Sequence, residues 1–99
     1  MKNLLTLAFS FIFLGAMAQP VTFAKDVASI VYSNCTSCHR VGEIGPMPFT
    51  SYQQVAQYGS MIAQVTQNRS MPPWRADRNY SHFIGERGLS ASDIQKIQN

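Results

Sequence analysis

The sequence predicts an all-α fold, and three observations carry that reading. Apolar residues recur at helical spacing, in Phe23, Val27, Ile30 and Val31 and again in Val55, Ile62 and Val65. Residues suited to capping a helix start stand ahead of the apolar stripes, at Thr22, Thr50 and Ser90. Glycines and prolines collect between the stripes, where they punctuate loops.

The chain has 99 residues, enough for one small domain. Its start reads as an export signal. Met1-Lys2-Asn3 precedes an apolar run from Leu4 to Ala18, interrupted only by Thr6, Ser10 and Gly15 and ending in Ala16-Met17-Ala18. The run has 15 residues, where a membrane-spanning helix needs roughly 20. Cleavage is therefore expected between Ala18 and Gln19, giving a signal peptide over residues 1–18 and a domain over 19–99, without stable membrane insertion afterwards. No cysteine stands at the cleavage point to accept a lipid. The mature part has 81 residues, and loss of Lys2 leaves seven basic against five acidic residues, a formal +2. With so small a charge and no basic run, nucleic acid is not expected as a partner. A domain of this size buries a modest fraction of its surface and needs a disulfide, metal or cofactor as a staple. The two cysteines, Cys35 and Cys38, are the only staple material. A disulfide across so short a loop removes little chain entropy, so something larger is expected on them.

Each element follows in order. Thr22 caps a predicted helix that runs to about Asn34 and leads into the cysteines. Arg40 to Pro48 contains Gly42, Gly45, Pro46 and Pro48 and reads as a loop. Thr50 with Gln53 resembles a capping box for a helix reaching about Asn68, whose stripe is Val55, Tyr58, Ile62 and Val65. Gly59 inside it is expected to mark a close approach to a neighbour. Met71-Pro72-Pro73 stops that helix, and Trp74 to Gly88 reads as irregular chain. Ser90 with Asp93 begins a last helix with Ile94 and Ile97 on its apolar face. It is short for independent stability, and the natural chain is expected to run on beyond Asn99.

"NCTSCHR", residues 34–40, holds both cysteines with a histidine directly after the second. Three chemistries use such a cluster. A thioredoxin-like thiol pair requires a strand leading into its CxxC within a βαβ pattern, whereas this lead-in has helical spacing. A structural zinc ion requires four ligands; Cys35, Cys38 and His39 supply three, and His82 is the only other histidine. The CxxCH spacing is the attachment signature of c-type haem. Its thiols add to the two porphyrin vinyl groups and the adjacent imidazole reaches the iron from one face. This third reading also provides the staple.

The opposite face of the iron decides the function. An open face suits ligand binding or oxidation chemistry, whereas a methionine closes it and favours electron transfer. Met61 lies beside the apolar stripe and is expected to pack in the core. Met47 follows His39 by eight residues, a span of about 26 Å at full extension. Gly45-Pro46 turns that path aside. Met71 comes 32 residues after His39, beyond a complete helix and stiffened by two prolines, and is the expected sixth ligand. Trp74 and Arg75 are candidates to hydrogen-bond a haem propionate. Phe49, Tyr52 and Phe83 are candidates to line the haem.

From about Val21 to Ile97 the chain resembles small bacterial cytochrome c domains. The carrying segments are "TFAKDVASIVYSNCTSCHRVGEIGPMPFTSY", "MPPWRAD" and "LSASDI", and they are similar to the haem domains that accompany copper type II, ascorbate-dependent monooxygenase-like proteins. The resemblance implies an all-helical, cytochrome c-like fold wrapped around one covalent haem c, attached outside the cytoplasm. It matches Met71 to the axial methionine. It also places Gly45-Pro46 where small cytochromes c carry a carbonyl that accepts the proximal histidine's other N–H. In such domains the last helix packs across the first. The expected function is one-electron transfer in the periplasm or outside the cell, with Cys35 and Cys38 tethering the haem and His39 and Met71 holding the iron. The chain would be an electron carrier, not an enzyme by itself, working with redox protein partners. Two alternatives stay open: a catalytic or gas-binding haem with an exchangeable sixth site, and a redox-accessory domain of a copper oxygenase.

Overall fold

The protein is described by a computed structural model covering residues 18–74, 76–77 and 79–99. Among those residues every regular element is a helix, and there is no strand. The predicted signal peptide lies outside the described residues except for Ala18, which is exposed and leads through Gln19 and Pro20 into the first element. Among the described residues no helix is long and apolar enough to cross a membrane.

The first helix starts where the sequence predicts. Thr22 is extended, its hydroxyl accepts the Lys25 N–H at 3.3 Å, and its own N–H donates to Asp26 Oδ2 at 2.9 Å. Two otherwise orphaned donors are satisfied in this way. The first turn, Phe23–Val27, is π-helical, and α1, Ala28–Asn34, continues it. Ile30 and Val31 are buried and Phe23 and Val27 half-buried, so the predicted stripe is the inward face.

The middle helix differs from its predicted form in four ways. Its cap is Ser51 rather than Thr50: Ser51 Oγ accepts the Gln54 N–H at 3.4 Å, and Gln54 Oε1 accepts the Ser51 N–H at 3.1 Å. The same Oε1 also takes the Thr50 N–H and hydroxyl, each at 2.9 Å. A glutamine at 54 reaches back to both residues, so the capping box settles one position later than the Thr50–Gln53 spacing indicates. The helix is also interrupted. α2, Tyr52–Gln57, ends at Tyr58 (φ −108°, ψ 15°), and α3, Gly59–Gln67, begins immediately after. Gly59 marks that restart and no close approach: a Cβ placed there meets nothing within 4 Å. Met61, expected in the core, is 41 % exposed, and the inward positions are Val55, Ile62 and Thr66. The buried Thr66 hydroxyl donates to Ile62 O at 2.7 Å, which keeps a polar group tolerable inside.

α4, Ala91–Gln98, begins at the predicted cap, where Ser90 Oγ accepts the Asp93 N–H at 3.0 Å. It packs against α3 and the first turn of the first helix, and Gln98 Nε2 donates to Ala63 O at 2.8 Å. The core is one cluster of Val31, Phe49, Val55 and Ile62, with Cys35, Met47, Tyr58 and Ile97 packed on it. Burying an aliphatic side chain as completely as Val31 contributes about 1.5–3 kcal/mol. This cluster joins every helix to the loop that follows the cysteines.

Candidate functional site

The cysteine pair extends the end of α1. Cys35 N–H donates to Val31 O at 2.8 Å, and Cys35 O then accepts both the Cys38 N–H at 3.1 Å and the His39 N–H at 2.9 Å. Asn34 Nδ2 donates to Ile30 O at 2.8 Å and Thr36 Oγ1 to Tyr32 O at 2.7 Å, so side chains satisfy the last carbonyls of the helix. Both sulfurs therefore stand on one hydrogen-bonded turn, with the imidazole on the next residue.

The two thiols have different surroundings. Cys35 packs on the core cluster, and burial pushes its thiol up from 9.0 to about 11. Cys38 is contacted from far along the chain: Arg87 Nη1, 49 residues downstream, donates to Cys38 Sγ at 3.3 Å and to Ser37 Oγ at 3.3 Å. A disulfide oxidoreductase needs a thiol of lowered pKa as its nucleophile, which Cys35, pushed up by its burial, does not supply. The zinc reading needs a fourth ligand beside Cys35, Cys38 and His39. Among the described residues no cluster of three or more His, Cys, Asp or Glu side chains is arranged to hold a metal ion. His82 instead lies 3.6 Å from Glu86 with its side chain 80 % exposed.

His39 is the most constrained member of the site. Its Nδ1 lies 3.0 Å from Met47 O, and with Nδ1 protonated this is an N–H to carbonyl hydrogen bond. The acceptor is the Met47 carbonyl, not one from Gly45-Pro46 as the resemblance implies. Gly45 contributes in another way. Its N–H donates to Cys38 O at 2.8 Å, and a Cβ there would lie 2.6 Å from that oxygen and 2.7 Å from His39 Nδ1. The chain turns over the imidazole at Gly45, so the first carbonyl in line with Nδ1 comes two residues later. The Nδ1 bond fixes the tautomer that leaves Nε2 as the free lone pair. Phe49 completes the surroundings, its ring stacked on His39 with centroids 4.6 Å apart and planes at 19°.

The other candidates are dispersed. Met71 is 41 % exposed, and its N–H donates to Val65 O at 3.0 Å. The described contacts of Cys35, Cys38 and His39 do not include it. Beside Met71 lies a cavity of about 600 Å³ lined by Arg69, Ser70, Pro72, Pro73, Trp74 and Asp77. It is an open surface depression, and no residue of the cysteine turn lines it. Trp74 is 80 % exposed, and Arg75 lies outside the described residues. Of the three aromatics, Phe49 is a core residue, Tyr52 sits edge-on to Phe23 at 5.1 Å and is 56 % exposed, and Phe83 is equally exposed.

Two thiols on one turn and an imidazole whose Nδ1 is already engaged form the donor set that a c-type haem requires. Comparison with protein-family models, with curated proteins and with solved structures finds no match. The chemistry of the site therefore rests on its own atoms.

This geometry has measurable consequences. Gly45→Ala forces a methyl against a backbone carbonyl and the imidazole, and is expected to cost about 1–3 kcal/mol in denaturant unfolding. Gly59→Ala, in open space on a helix, is expected to gain about 0.5 kcal/mol in the same measurement. In the haem-free chain, Cys35, raised when folded, contributes stability that is present below its unfolded value of 9.0 and is lost as pH rises towards about 11. At pH 8 the haem-free chain should alkylate at Cys35 at least tenfold more slowly when folded than in urea, since only the thiolate reacts. Equal rates would contradict the burial.

Proposed function

We propose that the protein is an exported single-haem electron carrier. Cys35 and Cys38 hold the haem through thioethers, and His39 Nε2 and the Met71 sulfur ligate the iron. The observation that carries this reading is the His39 arrangement. The Met47 carbonyl takes the Nδ1 proton and thereby presents Nε2, one residue beyond a cysteine pair that fits covalent attachment.

The chain's own residues would do four things. The turn from Cys35 to His39 sets the spacing of the tethers. The Nδ1–H bond increases the electron density at Nε2 and so favours the oxidised iron. Cys35, rooted in the core, ties the tether to the helices. Met71, on its Pro72-Pro73 segment, would close the sixth position and leave the iron a carrier rather than a site for external ligands. When bound, the haem supplies a one-electron couple. Export places the domain in the periplasm or outside the cell, among redox protein partners, with a copper oxygenase as the further candidate.

The sixth ligand is the part that sequence position supports more than contact does, and it is directly testable. Met71→Ala is expected to abolish the sulfur-to-iron charge-transfer absorption of the oxidised protein and to let reduced iron bind carbon monoxide readily. If the absorption survives the substitution, another residue is the ligand. If the unsubstituted protein already binds carbon monoxide readily, the site is open and the catalytic or gas-binding reading replaces this one.

A further inference from the structure

The hydrogen bond from Nδ1 to the Met47 carbonyl holds one atom of the imidazole. A hydrogen bond tolerates D–H···A angles well short of linear, so this contact alone leaves the ring some rotation about its Cβ–Cγ bond. What narrows that rotation is the Phe49 ring, stacked on the imidazole at 4.6 Å and 19°. Phe49 is itself immobile: it is 6 % exposed and sits in the core cluster with Val31, Val55 and Ile62. Its backbone N–H also donates to His39 O at 2.9 Å, so the two residues are joined at the main chain as well as at the rings. Gly45 restricts the Nδ1–Cγ side, where even a methyl would come within 2.7 and 2.8 Å of those atoms. To rotate the imidazole, the protein would have to displace a core aromatic or the Gly45 backbone. Interiors resist such displacement because they are packed to the density of organic crystals.

We infer that Phe49 is a positioning residue which sets the plane of the His39 imidazole by stacking on it, and through that plane tunes the electronic state of the bound haem. The inference rests on the haem reading above. The physical link is π overlap. An axial imidazole shares π density with the iron orbital that its plane selects, so its orientation decides how unpaired spin in the oxidised state spreads over the porphyrin. Groups around a ligand act by fixing that orientation. A stacked pair of rings is attracted beyond its burial, which favours one orientation over a freely rocking ring.

The test uses the mature chain carrying covalent haem, with attachment verified first by mass. The readout is the proton NMR spectrum of the oxidised form, in which the spread of the haem-methyl resonances reports the orientation of the axial ligands, of which Met71 is left unsubstituted in every variant. Phe49→Leu keeps an apolar side chain but removes the flat face, and it is expected to narrow that spread because a rocking ring averages its contribution. Phe49→Tyr keeps the face and should retain the spread of the unsubstituted protein. Val55→Ala loosens the same core without touching His39, and should leave the spread unchanged while lowering the denaturant midpoint. Two results would overturn the inference: an unchanged spread in Phe49→Leu, or equal narrowing in Val55→Ala, which would make the effect one of general core stability. An unsubstituted chain of haem-free mass would instead overturn the haem reading itself, and would do so before any spectrum is recorded.

Discussion

The hydrogen bond between His39 Nδ1 and the Met47 carbonyl is the constraint on which the rest of this site depends. It closes a loop from residue 39 to 47 whose other closures are the Gly45 N–H to Cys38 O and the Phe49 N–H to His39 O. Each of the three ties the cysteine turn to the chain that follows it. The loop then delivers Phe49 to the core and, directly after, Ser51 to the cap of α2. Ligand orientation and helix placement are thus set by one segment. A group at Nε2 would be sensed by the core through two residues, His39 and Phe49.

The cysteine pair joins two levels of organisation. Cys35 is anchored among the apolar residues that hold the helices together, whereas Cys38 is contacted by Arg87 from the irregular chain before α4. That irregular chain also reaches back through Arg69, whose Nη1 donates to Leu89 O at 3.3 Å, close to the α4 cap. Under the proposed function, a prosthetic group fastened to both sulfurs would therefore brace the core on one side and the 80–90 segment on the other. A chain of 99 residues with a four-residue central cluster has need of such bracing. Trp74, Phe83 and Ile84 of the irregular chain are exposed.

The parts of this arrangement that the sequence made legible are those set by neighbours in the chain. Thr22 and Ser90 cap their helices because a hydroxyl need only reach three residues ahead. Val31 and Ile62 are buried because their stripes have the helical period. Cys35, Cys38 and His39 share a turn because one carbonyl can accept from residues three and four positions on. What escaped depends on paths that composition does not encode. The carbonyl facing His39 belongs to Met47 because of how the backbone turns at Gly45, and a carbonyl has no side-chain signature. The cap at Ser51 prevails over Thr50 because Gln54 can serve both, a competition that spacing leaves undecided. Met61 stands at the surface because it is one position, about 100° of helix rotation, away from Ile62 on the inward stripe, and being beside a stripe is not being on it. Arg87 meets Cys38 across 49 residues, a separation at which no local pattern operates.

The most direct test of the account is a pyridine haemochrome spectrum, paired with an intact mass, of the exported chain purified from cells that possess haem-attachment machinery. The account predicts the spectrum of a haem with both vinyl groups saturated and the mass of residues 19–99 plus one haem. A colourless product with the mass of the polypeptide alone would contradict it.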